Sequence, residues 1–147
     1  MKILIQVVKE ASVLVDNVLI STINKGYLLF VGIESSDSLA IVEKMANKLM
    51  TLRINQDENG KTNLSIKDIN GEILSVSQFT LCAKIDGRRP SFSNAMNPAD
   101  AQKYYLHFNE ILRSNNLIVK EGKFKEHMEV KIINDGPFTI YLDSDNI

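Results

Sequence analysis

With 147 residues, 44% of them hydrophobic and 24% charged, the chain has the make-up of a single soluble globular domain spanning residues 1–147, neither disordered nor long enough for two ordinary domains. Its net charge of −1 argues against a protein that grips nucleic acid through a broad basic stripe, so any RNA contact has to be local. No apolar run approaches bilayer length and no leader-like segment opens the chain, so no membrane is expected and the cytoplasm is the expected address, while one cysteine and two histidines offer neither an internal disulfide nor a zinc spacing.

Residues 2–8 and 11–15 read as strands, and Asp16-Asn17 between Val15 and Val18 is a compact turn signal that predicts a hairpin from Ala11 to Ile23. Asn24-Lys25-Gly26 turns the chain into the unbroken apolar run Tyr27–Ile33, a strand expected to be covered on both faces. Ser35, Ser36 and Asp37 offer N-caps for a helix over about 38–50, with Leu39, Val42, Met45, Ala46 and Leu49 forming its core stripe. Arg53 follows in an apolar context that calls for a polar partner. A turn at Asp57–Gly60, a short strand at Asn63–Ile66 and a turn at Asn70-Gly71 lead to a strand over Ile73–Leu81.

Beyond it lies the basic loop Lys84–Pro90. Asn97 as N-cap, Pro98 at the first helical position and Asp100 in the first turn then open a second helix ending near Asn115-Asn116. Its apolar face holds Ala101, Tyr104, Tyr105, Phe108, Ile111 and Leu112, with His107 at the edge. Leu117–Val119 restarts extended structure, Glu121–Phe124 is a loop, Met128–Ile133 and Phe138–Leu142 are the last strands, and the tail from Asp143 should fray. Many strands with two helices predict an α+β domain, the helices packed on a curved, largely antiparallel, barrel-like sheet.

Ser77-Gln78-Phe79-Thr80 marks a candidate site, because here a buried strand opens into polar groups. Side chains alternate along a strand, so Ser77 and Thr80 reach one ligand only if the strand bends or ends between them. Polar groups at a strand end also serve simply to bond their own backbone or water. Neither histidine lies in a polar motif and no Gly-x-Ser-x-Gly elbow exists, so a nucleophile–base–orienter constellation is not visible. Thr80 is the one hydroxyl that invites a nucleophile's role, without a base to activate it. Cys82 reads as a small buried apolar residue. Lys84, Arg88 and Arg89 form the one compact basic group near the candidate site.

A second stretch, Asn134-Asp135-Gly136-Pro137-Phe138-Thr139, lies between two strand-like runs. An X-Pro bond such as Gly136-Pro137 is usually trans, and cis costs it only about 0.5–1 kcal/mol. Together, Ser77–Leu81 and Asn134–Thr139 resemble the two signature motifs of the D-aminoacyl-tRNA deacylases, small dimeric enzymes that remove D-amino acids from tRNA. The resemblance runs over nearly the whole chain, including Met1-Lys2-Ile3, Leu52-Arg53-Ile54 and Gly87–Ser93.

It implies the deacylase fold, a homodimer, no metal or other cofactor, and chiral proofreading in translation quality control. Ser77, Gln78, Phe79 and Thr80 would form the catalytic site, with backbone groups near Phe79-Thr80 holding the reacting carbonyl and the 2′-hydroxyl of the terminal adenosine helping to activate water. Gly136 and Pro137, as a cis unit entering the partner's site, would hold the D-amino acid and leave no room for an L side chain. Phe124 and Met128 would pack on the terminal adenine, although Lys125-Glu126-His127 between them replaces the smaller residues of the commoner family pattern. An aminoacyl ester is reactive enough for positioning and oxyanion stabilisation to suffice. Two readings stand beside this one: a non-catalytic module binding a nucleic-acid 3′ end, and a structural dimerisation domain.

Overall fold

The computed structural model describes residues 1–147 and has the expected α+β architecture. Its strands and helices are β1 (Lys2–Val15), β2 (Val18–Ile23), β3 (Gly26–Gly32), α1 (Leu39–Thr51), β4 (Asn55–Gln56), β5 (Thr62–Leu64), β6 (Glu72–Ser77), β7 (Lys84–Asp86), β8 (Arg89–Ser91), α2 (Pro98–Ser114), β9 (Ile118–Glu121) and β10 (Glu129–Asp143). The main sheet runs β10-β1-β3-β6-β9, with β2 added to the far half of β1. β1 is antiparallel to β2, β3 and β10, whereas β3-β6 and β6-β9 are parallel because α1 and α2 carry the chain across between them. Ser21 Oγ donates to the Glu121 carbonyl at 2.5 Å and Lys120 Nζ to that of Thr22 at 2.7 Å, so β2 leans toward β9 and nearly closes the barrel.

The two faces of the curved sheet feed two cores. Tyr27, Leu29 and Val31 of β3 join Val42, Met45 and Leu49 of α1 and Tyr105, Phe108 and Leu112 of α2. Leu28 points the other way, into the barrel interior with Val8, Val13, Leu74 and Val76. Both faces of β3 are therefore covered, as its unbroken apolar run predicts, and each fully buried large aliphatic contributes roughly 1.5–3 kcal/mol.

Several elements differ in extent from expectation. The two expected opening strands are one, β1, whose register with β10 shifts between Gln6 and Val8 and again between Val8 and Glu10. The Asp16-Asn17 turn is present with both residues at positive φ, the mirror-image turn that suits a hairpin. α1 is capped by Ser38 and not by residues 35–37, because the Asp37 carboxylate instead takes the Glu34 N–H at 2.6 Å and the Met1 ammonium at 2.5 Å. The second helix is capped by Asn97 with Pro98 following, as read from sequence. Arg53 is exposed, with Asn63 Oδ1 3.4 Å away. The tail does not fray: Ser144 N–H bonds the Met1 carbonyl at 2.9 Å, and Ile147 packs on the main core. The loop Lys84–Pro90 is an exposed β7-β8 hairpin turning at Gly87-Arg88.

Candidate active site

The strand expected over Ile73–Leu81 stops at Ser77, the last residue of β6 paired with β3. Gln78 then gives its N–H to the Val31 carbonyl at 2.7 Å, and Phe79–Cys82 folds into a 3₁₀ turn closed by Leu81 N–H to Gln78 and Ala83 N–H to Thr80, both at 3.2 Å. The turn packs tightly on β3, for a Cβ at Gly32 would stand 3.0 Å from Leu81 Cβ and 3.1 Å from both Cys82 Sγ and the Gln78 oxygen. As first residues of the 3₁₀ turn, Phe79 and Thr80 have no acceptor behind them within it, so the turn itself uses neither of their N–H groups. The strand's end thus presents two adjacent backbone donors that the turn does not consume.

Beside this turn opens a cleft of about 630 Å³, lined by Ser77, Gln78 and Phe79 and by the stretch Phe124–Met128, which includes Lys125, Glu126 and His127. Phe79 is 57% exposed and meets Phe92 edge-on at 5.1 Å, which makes an aromatic rim. Ala95 and Met96 line the cleft too, hooked onto the end of β3 by the Glu34–Ala95 bridge and the Met96 N–H to Ile33 bond of 3.0 Å. Buried Tyr105 donates its hydroxyl to the Ser75 carbonyl at 2.8 Å and carries Phe124 on its ring at 6.0 Å. Burial pushes the Tyr105 phenol up to about 12, with its hydrogen bonds pulling it back only in part, so it stays a neutral donor.

The structure divides the sequence-predicted residues into three groups. Ser77, Gln78, Phe79, Phe124 and Met128 share the cleft. Thr80 is exposed outside it, and its hydroxyl accepts from Gln78 Nε2, an arrangement that leaves it without an activating base. Gly136 and Pro137 also lie outside the cleft of their own chain. They belong to β10, where the pairs Gln6–Thr139 and Val8–Asn134 leave Val7 facing the four residues Asp135–Phe138, so the motif bulges from the sheet. The Gly136-Pro137 bond is cis, both residues are exposed, and a Cβ on Gly136 would meet nothing within 4 Å.

Cys82 is buried, and burial pushes its thiol up to about 11, which suits packing and not nucleophilic attack. Carboxylates of Glu34, Asp143 and Asp145 approach within 4.8 Å of one another, but Lys2 Nζ sits among them, 2.6 Å from Asp143 and 3.4 Å from Glu34. That cluster is an ion-pair network. Sequence reading missed Phe92, Met96 and Tyr105 as cleft residues; only Tyr105 carried a usable signal, since a tyrosine on a core face needs a partner for its hydroxyl.

The architecture and the site define a class: a barrel-like α+β domain with a largely apolar cleft where a buried strand ends in a 3₁₀ turn. Residues 4–143 match the family model described as D-Tyr-tRNA(Tyr) deacylase. A D-aminoacyl-tRNA deacylase of Lactobacillus gasseri is 49% identical over 144 residues, covering 97% of this chain and 99% of that one. Another, of Thermotoga petrophila, is 47% identical over 150 residues, 100% of this chain and 99% of the relative. A solved structure titled c-Myc DNA Unwinding Element Binding Protein superposes with a TM-score of 0.92 at 41% identity, covering 97% of this chain and 98% of the other. A probable eukaryotic D-amino acid tRNA deacylase shares the fold at a TM-score of 0.83 and 17% identity, over 96% and 97% of the two chains. The chain belongs to the D-Tyr-tRNA(Tyr) deacylase family, and it is an enzyme of that hydrolytic class.

Proposed function

We propose that this protein hydrolyses the ester of D-aminoacyl-tRNA as a homodimer, each cleft being completed by Gly136 and Pro137 of the partner subunit. The observation that carries the reading is the bulge at Asp135–Phe138: its glycine is demanded by nothing in its own chain, and it stands exposed, away from the cleft its motif should serve. A two-fold assembly supplies each cleft with the other copy's bulge. Phe79, Ile85, Ile133 and Tyr141 remain half or more exposed, and β10 has no neighbour beyond β1, which leaves apolar surface and a free strand edge for a second copy to cover.

The terminal adenine of the tRNA packs on Phe124 and Met128, and the ester carbonyl lies against the backbone amides of Phe79 and Thr80. Ser77 and Gln78 complete the wall, and Thr80 contributes main chain only. The adenosine 2′-hydroxyl helps to activate water, so the protein needs neither its own nucleophile nor a metal or other cofactor. The partner's Gly136 and Pro137 take the amino acid's α-amino group through main-chain carbonyls and exclude an L side chain, while admitting many D ones. Achiral glycine presents no side chain for that filter to reject, so glycyl-tRNA falls within its reach. Such proofreading belongs in the cytoplasm. No helix here is long and apolar enough to cross a membrane, which fits that address.

The 41%-identical relative named for binding a DNA unwinding element favours a second reading, a nucleic-acid-binding module without turnover. Release of amino acid from one tRNA charged with D- or L-tyrosine, with chelator present, separates the two. Rapid loss of the D form alone supports the chiral deacylase. Equal loss of both refutes the filter, and binding without loss supports the module.

A further inference from the structure

Lys125 holds a backbone conformation that glycine would adopt more cheaply. The four residues Lys123–Glu126 form a turn closed by the Glu126 N–H to Lys123 bond of 3.2 Å, and Lys125, third of the four, has φ +67°. That is the position for which a type II turn favours glycine, since a Cβ crowds the backbone there. Its neighbours use their charges on each other, Lys123 pairing with Glu126 at 3.6 Å. Lys125 makes no ion pair or side-chain hydrogen bond, is exposed, and lines the cleft next to Phe124, His127 and Met128. Neither the turn nor the fold gains from a lysine at this place.

The surroundings say what its charge faces. Phe124 and Met128 give the cleft wall an apolar platform, and of the two charged residues lining the cleft, Lys125 and Glu126, the second is already paired with Lys123. An apolar platform with an unpaired cation at its edge suits a single-stranded nucleic-acid end, with a base on the platform and a phosphate beside it. In a chain of net charge −1, a cation at this place is a local feature and not part of a general excess. Successive Cα atoms lie about 3.8 Å apart, so a lysine next to Phe124 has a stem long enough to span the ribose between a base and its own 5′ phosphate.

We propose that Lys125 binds the phosphate on the 5′ side of the terminal nucleoside, adding one backbone contact to the grip on the tRNA 3′ end. The proposal rests on the reading of this cleft as a tRNA-end site and names a contact within it. It is a contact to the sugar-phosphate chain, so it should strengthen binding of all tRNAs alike and be indifferent to the amino acid.

The test compares the unaltered protein with Lys125→Gly, Lys125→Gln and Lys125→Arg, using uncharged tRNA as the binding probe between about 50 and 200 mM salt. Glycine suits the positive φ, so Lys125→Gly should melt no lower than the parent and cannot fail merely by misfolding. Losing one contact to a single strand should lower the slope of log K against log salt by about 0.7. Affinity at low salt should drop several-fold in Lys125→Gly and Lys125→Gln and return in Lys125→Arg. With D-tyrosyl-tRNA the loss should appear in KM. An unchanged salt slope in Lys125→Gly overturns the proposal, and so does a failure of Lys125→Arg to restore affinity. Because the probe carries no amino acid, an altered slope without hydrolysis would overturn only the deacylase reading, and D-selective hydrolysis with an unaltered slope only the role of Lys125. If the unaltered protein binds no uncharged tRNA, the role of Lys125 falls, while hydrolysis of the D-charged tRNA still decides the deacylase reading.

Discussion

The turn Phe79–Cys82 is wedged against its own chain, with Leu81, Cys82 and Gln78 atoms 3.0–3.1 Å from the place a Gly32 Cβ would occupy, whereas the bulge at Asp135–Phe138 presents a glycine with nothing within 4 Å. Both stretches carry motif residues, yet only the first has its shape accounted for by contacts within the subunit. A constraint with no internal cause points outward. In the dimer reading the partner's cleft supplies it, so substitutions in the two stretches should part company: one set should act through stability, the other through activity alone.

The largest expected effect comes from Gly136→Ala. The added methyl has open space in the subunit, so the melting temperature should hold to within a change of about 0.5 kcal/mol. Deacylation of D-tyrosyl-tRNA should nevertheless fall on the order of 10²-fold, the scale of an ångström-sized misplacement at a reacting centre. Gly32→Ala should do the opposite, since crowding Leu81, Cys82 and the Gln78 carbonyl costs about 1–3 kcal/mol of stability, readable as a lowered denaturant midpoint at unchanged m. Equal stability losses for the two variants would break the comparison.

Tyr105→Phe should cost less, about 0.5–1.5 kcal/mol for the bond to the Ser75 carbonyl, which still accepts the Gly122 N–H at 2.9 Å. It should also raise KM by loosening Phe124. The smallest effect concerns pH, at the end of β10 far from its bulge. Burial pulls the Asp143 carboxyl upward, but its Lys2 and Asp145 hydrogen bonds and the nearby positive charges outweigh this and hold it below the ordinary aspartate range. A group lowered in the folded state adds stability above its unfolded value, and that stability is lost as pH falls below about 4. Asp143→Asn should therefore flatten the fall in melting temperature between neutral and acid pH.

Local chemistry was readable from sequence, and tertiary chemistry was not. Asn97, Pro98 and Asp100 announced α2 correctly because a cap is satisfied by its own first turn. Leu81 looked like strand because it is apolar, but the strand ends where Gln78 reaches Val31 and Gly32 makes room for a turn, which are contacts between distant residues. The charged pair Lys9-Glu10 hid the continuity of β1, whose irregular register keeps the strand running beyond it. The cleft wall from Phe124 to Met128 was visible through family resemblance alone, since nothing in an isolated Phe and Met four residues apart separates a base platform from ordinary packing. Tyr105 was seen as core and not as the support of that platform, because its partner Ser75 lies 30 residues away.

The claim that each cleft borrows its chirality filter can be tested by co-expressing two variants, Gly136→Ala and Ala101→Trp, the second filling the cleft from α2 while leaving the bulge untouched. Each homodimer alone should be nearly inactive. Mixed dimers contain one site with an intact cleft and an intact partner bulge, so random pairing should restore about a quarter of the parental D-tyrosyl-tRNA deacylation. Restoration to that level is the predicted result; a mixture no more active than its parts would show that Gly136 serves its own subunit and would contradict the account.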